Sequence, residues 1–197
     1  MLVVLAIAYV LALVLVVGLP LLIFKQKAKL DYLKKQLAIH KKPQLKNVWL
    51  SIAGYFGYFL LTVVFSVVIQ AIWKGFNADQ VQEIGFKDLA NPFEYILAFA
   101  ALVVIPPIVE EMLFRGYLFS EVRRRAGFWL TAIIVSATFG IAHLQRNVGV
   151  DVFALSLVLC FLSEKTGTIW IGNLLQQIKN LVAVTVAFLH PELLHTS

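Results

Sequence analysis

Residues 48–73 read VWLSIAGYFGYFLLTVVFSVVIQAIW, without one charged side chain. An α-helix of roughly 20 apolar residues crosses a hydrocarbon core about 30 Å thick, so this stretch predicts a transmembrane helix. Working outward, residues 2–24 (LVVLAIAYVLALVLVVGLPLLIF) are equally uncharged and predict a first span. They lack the basic lead, the short apolar run and the small-residue cleavage site of a secretory leader, so the span is expected to be retained. The whole chain suits a bilayer. Of its 197 residues 60% are hydrophobic and 14% charged, with a mean hydropathy of +0.85, a composition that a water-facing surface does not sustain.

The net charge of +6 is concentrated rather than spread. Lysines 25, 27, 29, 34, 35, 41, 42 and 46 crowd the connection between the two spans, which marks residues 25–47 as cytoplasmic and the N-terminus as outside by the positive-inside rule. The expected partner of the Lys25–Lys46 loop is the anionic inner leaflet, and no nucleic acid. Within it Leu30, Leu33 and Leu37 recur at helical spacing, the pattern of a short amphipathic helix lying on the membrane. Cys160, the single cysteine, has no intrachain partner, so no disulfide framework exists.

Residues 74–94 are polar and read as a loop on the far side, with Asn91-Pro92 as a helix entry signal. A third span begins at 95–109 (YILAFAALVVIPPIV) and runs on through Glu110, Glu111 and Arg115 to the cytoplasmic cluster Arg123-Arg124-Arg125. A fourth covers roughly 128–145, and a short fifth (149–163) and a sixth (166–189) are divided by a turn at Ser163-Glu164-Lys165. The expected fold is all-α, a polytopic transmembrane helix bundle of about six spans. It divides into two N-terminal helices with a basic loop (1–92), a core carrying the chemistry (93–189) and a tail (190–197) that holds His190 and His195. A prokaryotic cell membrane is the expected location.

An ionised residue at the centre of a membrane helix costs roughly 2.5–3.5 kcal/mol on insertion scales, so polar groups at that depth are by default paired, interior and functional. The second half holds Glu110-Glu111-x-x-x-Arg115, Phe139-x-x-x-His143, Asn173 and Gln176-x-x-x-Asn180. Glu111 and Arg115, at i and i+4, share a helix face and can pair. Glu110 is rotated about 100° from them, on a face without that cation. A carboxylate in low-dielectric surroundings becomes a stronger base than one in water, which makes Glu110 the candidate general base. Pro106 and Pro107 are expected to kink the helix one turn earlier and open space around the carboxylates. Read alone, the glutamates equally suit a buried structural ion cluster, His143 an interfacial residue, and Gln176 with Asn180 interhelical hydrogen-bonding. Counting 1.5 Å per residue puts Glu110 toward the cytoplasm and His143 toward the outside, unless the third helix is lengthened through 116–127 or the helices tilt strongly.

Together these motifs resemble the CPBP family of intramembrane proteases, also called Abi or CAAX-protease-like, over roughly residues 93–185. The family's EExxxR stands as EEMLFR (Glu110, Glu111, Arg115), followed by FRGYLF, and its FxxxH as FGIAH (Phe139 to His143). Its third motif, a histidine four residues before an asparagine, is met by LLQQIKNLVA, where Asn180 matches and Gln176 stands in place of the histidine. The resemblance implies an intramembrane endopeptidase that hydrolyses a peptide bond of a membrane-associated peptide or protein substrate. Glu110 would activate water, His143 orient it or shuttle a proton, Asn180 donate to the oxyanion, and Arg115 hold Glu111; an N–H of Gln176 could keep part of the oxyanion role. The family is also described as metalloproteases, so zinc is possible, yet one histidine and a glutamate pair form an incomplete ligand set and no cofactor is assigned. The alternative is a catalytically weakened or inactive membrane scaffold of the same fold that binds a partner peptide or helix. A small transporter fits less well, since no repeated half or paired broken helices occur.

Overall fold

The computed structural model describes residues 37–77 and 99–189, with positions 7, 11, 14, 34, 35 and 96; for 187–189 only the backbone is described. The first span apart from three positions, most of the 74–94 loop, Leu30, Leu33, His190 and His195 lie outside these residues. Every element among the described residues is helical. Five α-helices carry the argument below: α1 (Val48–Ile72), α2 (Ile105–Glu110), α3 (Phe119–Arg123), α4 (Phe128–Ala142) and α5 (Arg146–Thr166); a sixth, α6 (Trp170–Leu189), closes the bundle.

Among the described residues two segments are long and apolar enough to cross a membrane, Leu45–Ile72 and Arg146–Thr166. They differ in setting. The outward side of α1 exposes Trp49, Phe56, Phe59, Leu60 and Val67, an apolar face of the kind that suits a lipid surrounding. Its inward side contributes Leu50 and Tyr58 to a core shared with Leu155, Leu159 and Leu162 of α5 and Ile171 and Leu175 of α6. A second cluster, Phe119, Ala132, Val135 and Cys160, joins α3, α4 and α5.

Residues 100–123 form one long helical rod with an uneven pitch. A π-helical stretch, Ala100–Val104, leads into α2, and a second, Glu111–Leu118, leads into α3. Pro106 and Pro107 stand in the first turn of α2. Without N–H groups they cannot bond to carbonyls one turn back, and Ile105 N–H reaches five residues back, to Ala100. The backbone thus widens on both sides of the prolines, and π-helical turns of this kind recur at functional sites.

The turn expected at 163–165 falls later. Helix α5 continues to Thr166, and the chain reverses at Gly167, whose φ of 66° places it in the left-handed region that glycine accepts at a helix C-terminus. Glu164 stays helical and pairs with Arg123 at 2.9 Å across the end of the bundle. That carboxylate, through its hydrogen bond and its charge, holds the Arg123 guanidinium above its ordinary pKa. The fifth helix is correspondingly longer than expected, 21 residues.

The described part of the lysine loop folds onto this same end. Ile169 N–H and the Thr168 hydroxyl both donate to the Ala38 carbonyl, at 3.2 and 3.1 Å. Leu37 is buried, and its backbone lies so close to Gly116 that a Cβ there would meet the Leu37 carbonyl oxygen at 2.6 Å. Lys41 and the Arg123–Arg125 cluster are thereby placed at one end of the bundle.

Candidate active site

The rod and α4 run antiparallel, since Phe119 meets Phe128 (6.4 Å between ring centroids) while Phe114 meets Phe139 (4.8 Å). Arg115 lies level with Phe139, its guanidinium carbon 4.6 Å from the ring centre. One turn back along the rod from Arg115 stands Glu111; one turn onward along α4 from Phe139 stands His143, their rings 4.8 Å apart. Both steps move the same way through the bundle by about 6 Å. The glutamates and His143 therefore occupy one level of the bundle, and the third helix stays helical to Arg123.

Glu111 and Arg115 form an ion pair, Oε1 to Nε 3.1 Å, with both side chains fully buried. A buried pair of this kind adds little net stability, because desolvation offsets the attraction, and removing one partner strands the other. Neither terminal nitrogen of Arg115 nor Oε2 of Glu111 has a hydrogen-bond partner among the described residues; the guanidinium instead stacks on Phe139. Room for the carboxylate is made by Gly172 of α6, where a Cβ would lie 2.6 Å from Glu111 Oε2.

Glu110 is 7% exposed and faces a different neighbour. The Gln176 side-chain amide, also from α6, donates an Nε2 hydrogen to Glu110 Oε2. Spacing had put Glu110 away from Arg115, and the structure supplies a neutral donor on that side. Since an ionised carboxylate only accepts, the Gln176 NH2 must face Glu110, and Oε1 turns away. That Oε1, with Asn173 Oδ1 one turn earlier, is a buried acceptor without a partner among the described residues. Buried acceptors of this kind are ordinarily satisfied by water or ligand.

Asn180 has another task. Its Nδ2 donates to the Leu102 carbonyl at 2.9 Å. Leu102 lies four residues before Pro106 and five before Pro107, so neither an α-helical nor a π-helical N–H is there to take its oxygen. Asn180 repairs the gap that the prolines open, and its second N–H is a further donor. His143 ends α4 half-buried, with Nδ1 2.8 Å from the Phe139 carbonyl. A carbonyl only accepts, so Nδ1 carries a proton, and the tautomer with that proton alone presents Nε2 as an acceptor.

A second polar group escaped the reading of the sequence. Asp151 of α5 accepts from Tyr58 (2.6 Å) and Thr62 (3.2 Å) of α1, and its other oxygen lies 2.7 Å from Lys179 Nζ of α6. The signal was the one used for the glutamates, an ionisable residue within an apolar span, present at both 151 and 179. Three helices are tied by one carboxylate. Gly172 had no signal at all. Among the described residues no three of His, Cys, Asp or Glu converge as a metal-holding group.

Comparison with known proteins agrees with these motifs. Residues 92–182 match the family described as "Type II CAAX prenyl endopeptidase Rce1-like". The chain is 27% identical over 128 residues to "Putative membrane peptidase YdiL" of Bacillus subtilis (strain 168), an alignment that covers 64% of this chain and 50% of that protein. The chain thus spans about half the length of the curated relative it matches. No solved structure matches it.

Proposed function

We propose, on the premise of the match between residues 92–182 and the type II CAAX prenyl endopeptidase Rce1-like family, that this chain is an intramembrane endopeptidase acting on a membrane-associated peptide or protein. The observation that carries the reading is the division of the two glutamates. Glu111 is neutralised by Arg115, whereas Glu110 is held by a neutral amide from α6. Glu110 takes a proton from water as the water oxygen attacks the scissile carbonyl carbon. The collapse of the tetrahedral intermediate breaks the C–N bond, and the proton passes to the leaving amine, with His143 as the shuttle. N–H groups of Gln176 and Asn180 face the developing oxyanion. The Gln176 Oε1 and Asn173 Oδ1 acceptors suit the attacking water or a substrate N–H. Arg115 is a positioning residue acting through Glu111.

The membrane arrangement belongs to the same proposal: about six spans with the lysine loop cytoplasmic. Support comes from the packing of Leu37–Lys41 at the end that also carries Arg123–Arg125, the one-sided distribution of cations that the positive-inside rule describes. At that end the Lys25–Lys46 loop would contact the anionic inner leaflet. A second reading is favoured by the Glu110–Gln176 hydrogen bond itself, which could hold α6 closed against the rod in a scaffold that only binds a partner helix.

Reconstituted wild-type protein and the Glu110→Ala and Glu110→Gln variants, incubated with a panel of membrane-associated peptides, separate the two. Loss of a general base lowers the rate by about 10²–10⁴ while the melting temperature reports the fold. Equal cleavage by all three removes Glu110 from the mechanism. Partner binding that survives in both variants, with no cleavage by wild type, selects the scaffold.

A further inference from the structure

A cavity of about 810 Å³ is formed by the end of α1, the end of α4 and the start of α5. Ala137, Gly140 and Ile141 of α4, with Leu144 just beyond the helix, line it; at 100° per residue Ala137 and Ile141 point well away from Phe139 and His143. Neither glutamate nor His143 lines the cavity.

Its walls have a direction. At the inner end the rings of Phe65 and Phe153 close it at 5.6 Å. At the outer end, where α1 stops and α5 begins, the Arg146 guanidinium stacks on Trp73 at 4.7 Å. From Phe65 to Trp73 is about 12 Å along the helix, most of the ~15 Å depth of one leaflet. Gly140 and Gly149 also line it; each backbone blocks a Cβ on the other, at 2.8 and 3.0 Å, so α4 and α5 meet closely there. Ile72, Ile141 and Leu144 are 80%, 74% and 93% exposed at the rim, on the side where lipid would lie.

We propose that this groove holds an acyl chain of an anionic phospholipid from the leaflet opposite the lysine-rich end, with the lipid phosphate paired to Arg146. The apolar trough matches a hydrocarbon tail, and the cation and the interfacial tryptophan at its mouth match an anionic headgroup. Lipid retention in the groove is independent of peptide hydrolysis.

Protein exchanged into mild detergent with defined amounts of phosphatidylglycerol or phosphatidylcholine is weighed intact by native mass spectrometry. Wild type is expected to retain one phosphatidylglycerol per chain and to prefer it to phosphatidylcholine. Arg146→Ala should lower phosphatidylglycerol retention about fivefold and abolish the preference, and Ala137→Phe should remove retention of both lipids by filling the trough. Melting temperatures close to wild type establish that both variants are folded. Equal retention by wild type and both variants overturns the proposal, as does displacement of phosphatidylglycerol by a farnesylated peptide, which would give the groove to a substrate.

Discussion

Gly172→Ala is the sharpest perturbation available at the glutamate pair, because it adds one methyl group and no polarity. The new Cβ would lie 2.6 Å from Glu111 Oε2, 3.2 Å from Leu159 Cδ2 and 3.4 Å from Glu111 Cδ. Ordinary contact begins near 3.4 Å, so the carboxylate must retreat by about 0.8 Å, or α6 must move away from the rod. Retreat is resisted, since Glu111 is fully buried and fixed by Arg115 at 3.1 Å. Overpacking of this kind costs about 1–3 kcal/mol, against a gain of about 0.5–1 kcal/mol for replacing glycine within a helix. Taking the middle of each range, the net loss of about 1 kcal/mol corresponds to a fall in melting temperature of roughly 2–4 °C for a chain of this size. A misplacement approaching 1 Å lowers catalysis by about 10²-fold, so peptide cleavage should fall by one to two orders of magnitude. Gly57→Ala is the control, because a Cβ there meets nothing within 4 Å; it should keep full activity and melt no lower than wild type. The assays are a thermal melt in detergent and cleavage by reconstituted protein. Full activity in a Gly172→Ala variant that melts several degrees lower would refute the coupling between Glu111 and catalysis. An unchanged melt would refute the packing argument itself.

Three further outcomes are expected. Arg115→Met should destabilise by about 3–5 kcal/mol by stranding Glu111, and Arg115→Met with Glu111→Gln should recover most of that loss; a double-mutant cycle of melting or denaturant midpoints measures the recovery. Asn180→Ala leaves the Leu102 carbonyl without its donor and should cost about 1–3 kcal/mol, while Asn180→Asp, which cannot donate when ionised, should do no better in the same melt. Gly116→Ala drives a Cβ into the Leu37 backbone and should release the lysine loop, read as faster trypsin cleavage after Lys41 with unchanged cleavage after Lys179.

Much of the candidate site was legible because its signals are local. The Glu111–Arg115 pair follows from an i, i+4 spacing within one helix, and the anomaly of charge in an apolar run needs no partner to be noticed. The turn before α6 was misplaced because Ser163-Glu164-Lys165 is polar and reads as loop, whereas Glu164 is helical and anchored by Arg123 from another element. The glycine two residues later was the better local signal, since its left-handed φ ends the helix. The Asp151–Lys179–Tyr58 link was visible only as two separate ionisable residues.

By itself the sequence determined the class of solvent, the helical character, the basic end and the residue types available for chemistry, all properties of composition and of periodicity within a segment. Which side chains meet was decided only by tertiary structure. The rotation and register of one helix against another depend on packing across the whole bundle, and no local spacing encodes them. Gln176 on Glu110, Asn180 on the carbonyl orphaned by the prolines, the space Gly172 leaves for Glu111, and the common level of His143 and the glutamates all arise from that register.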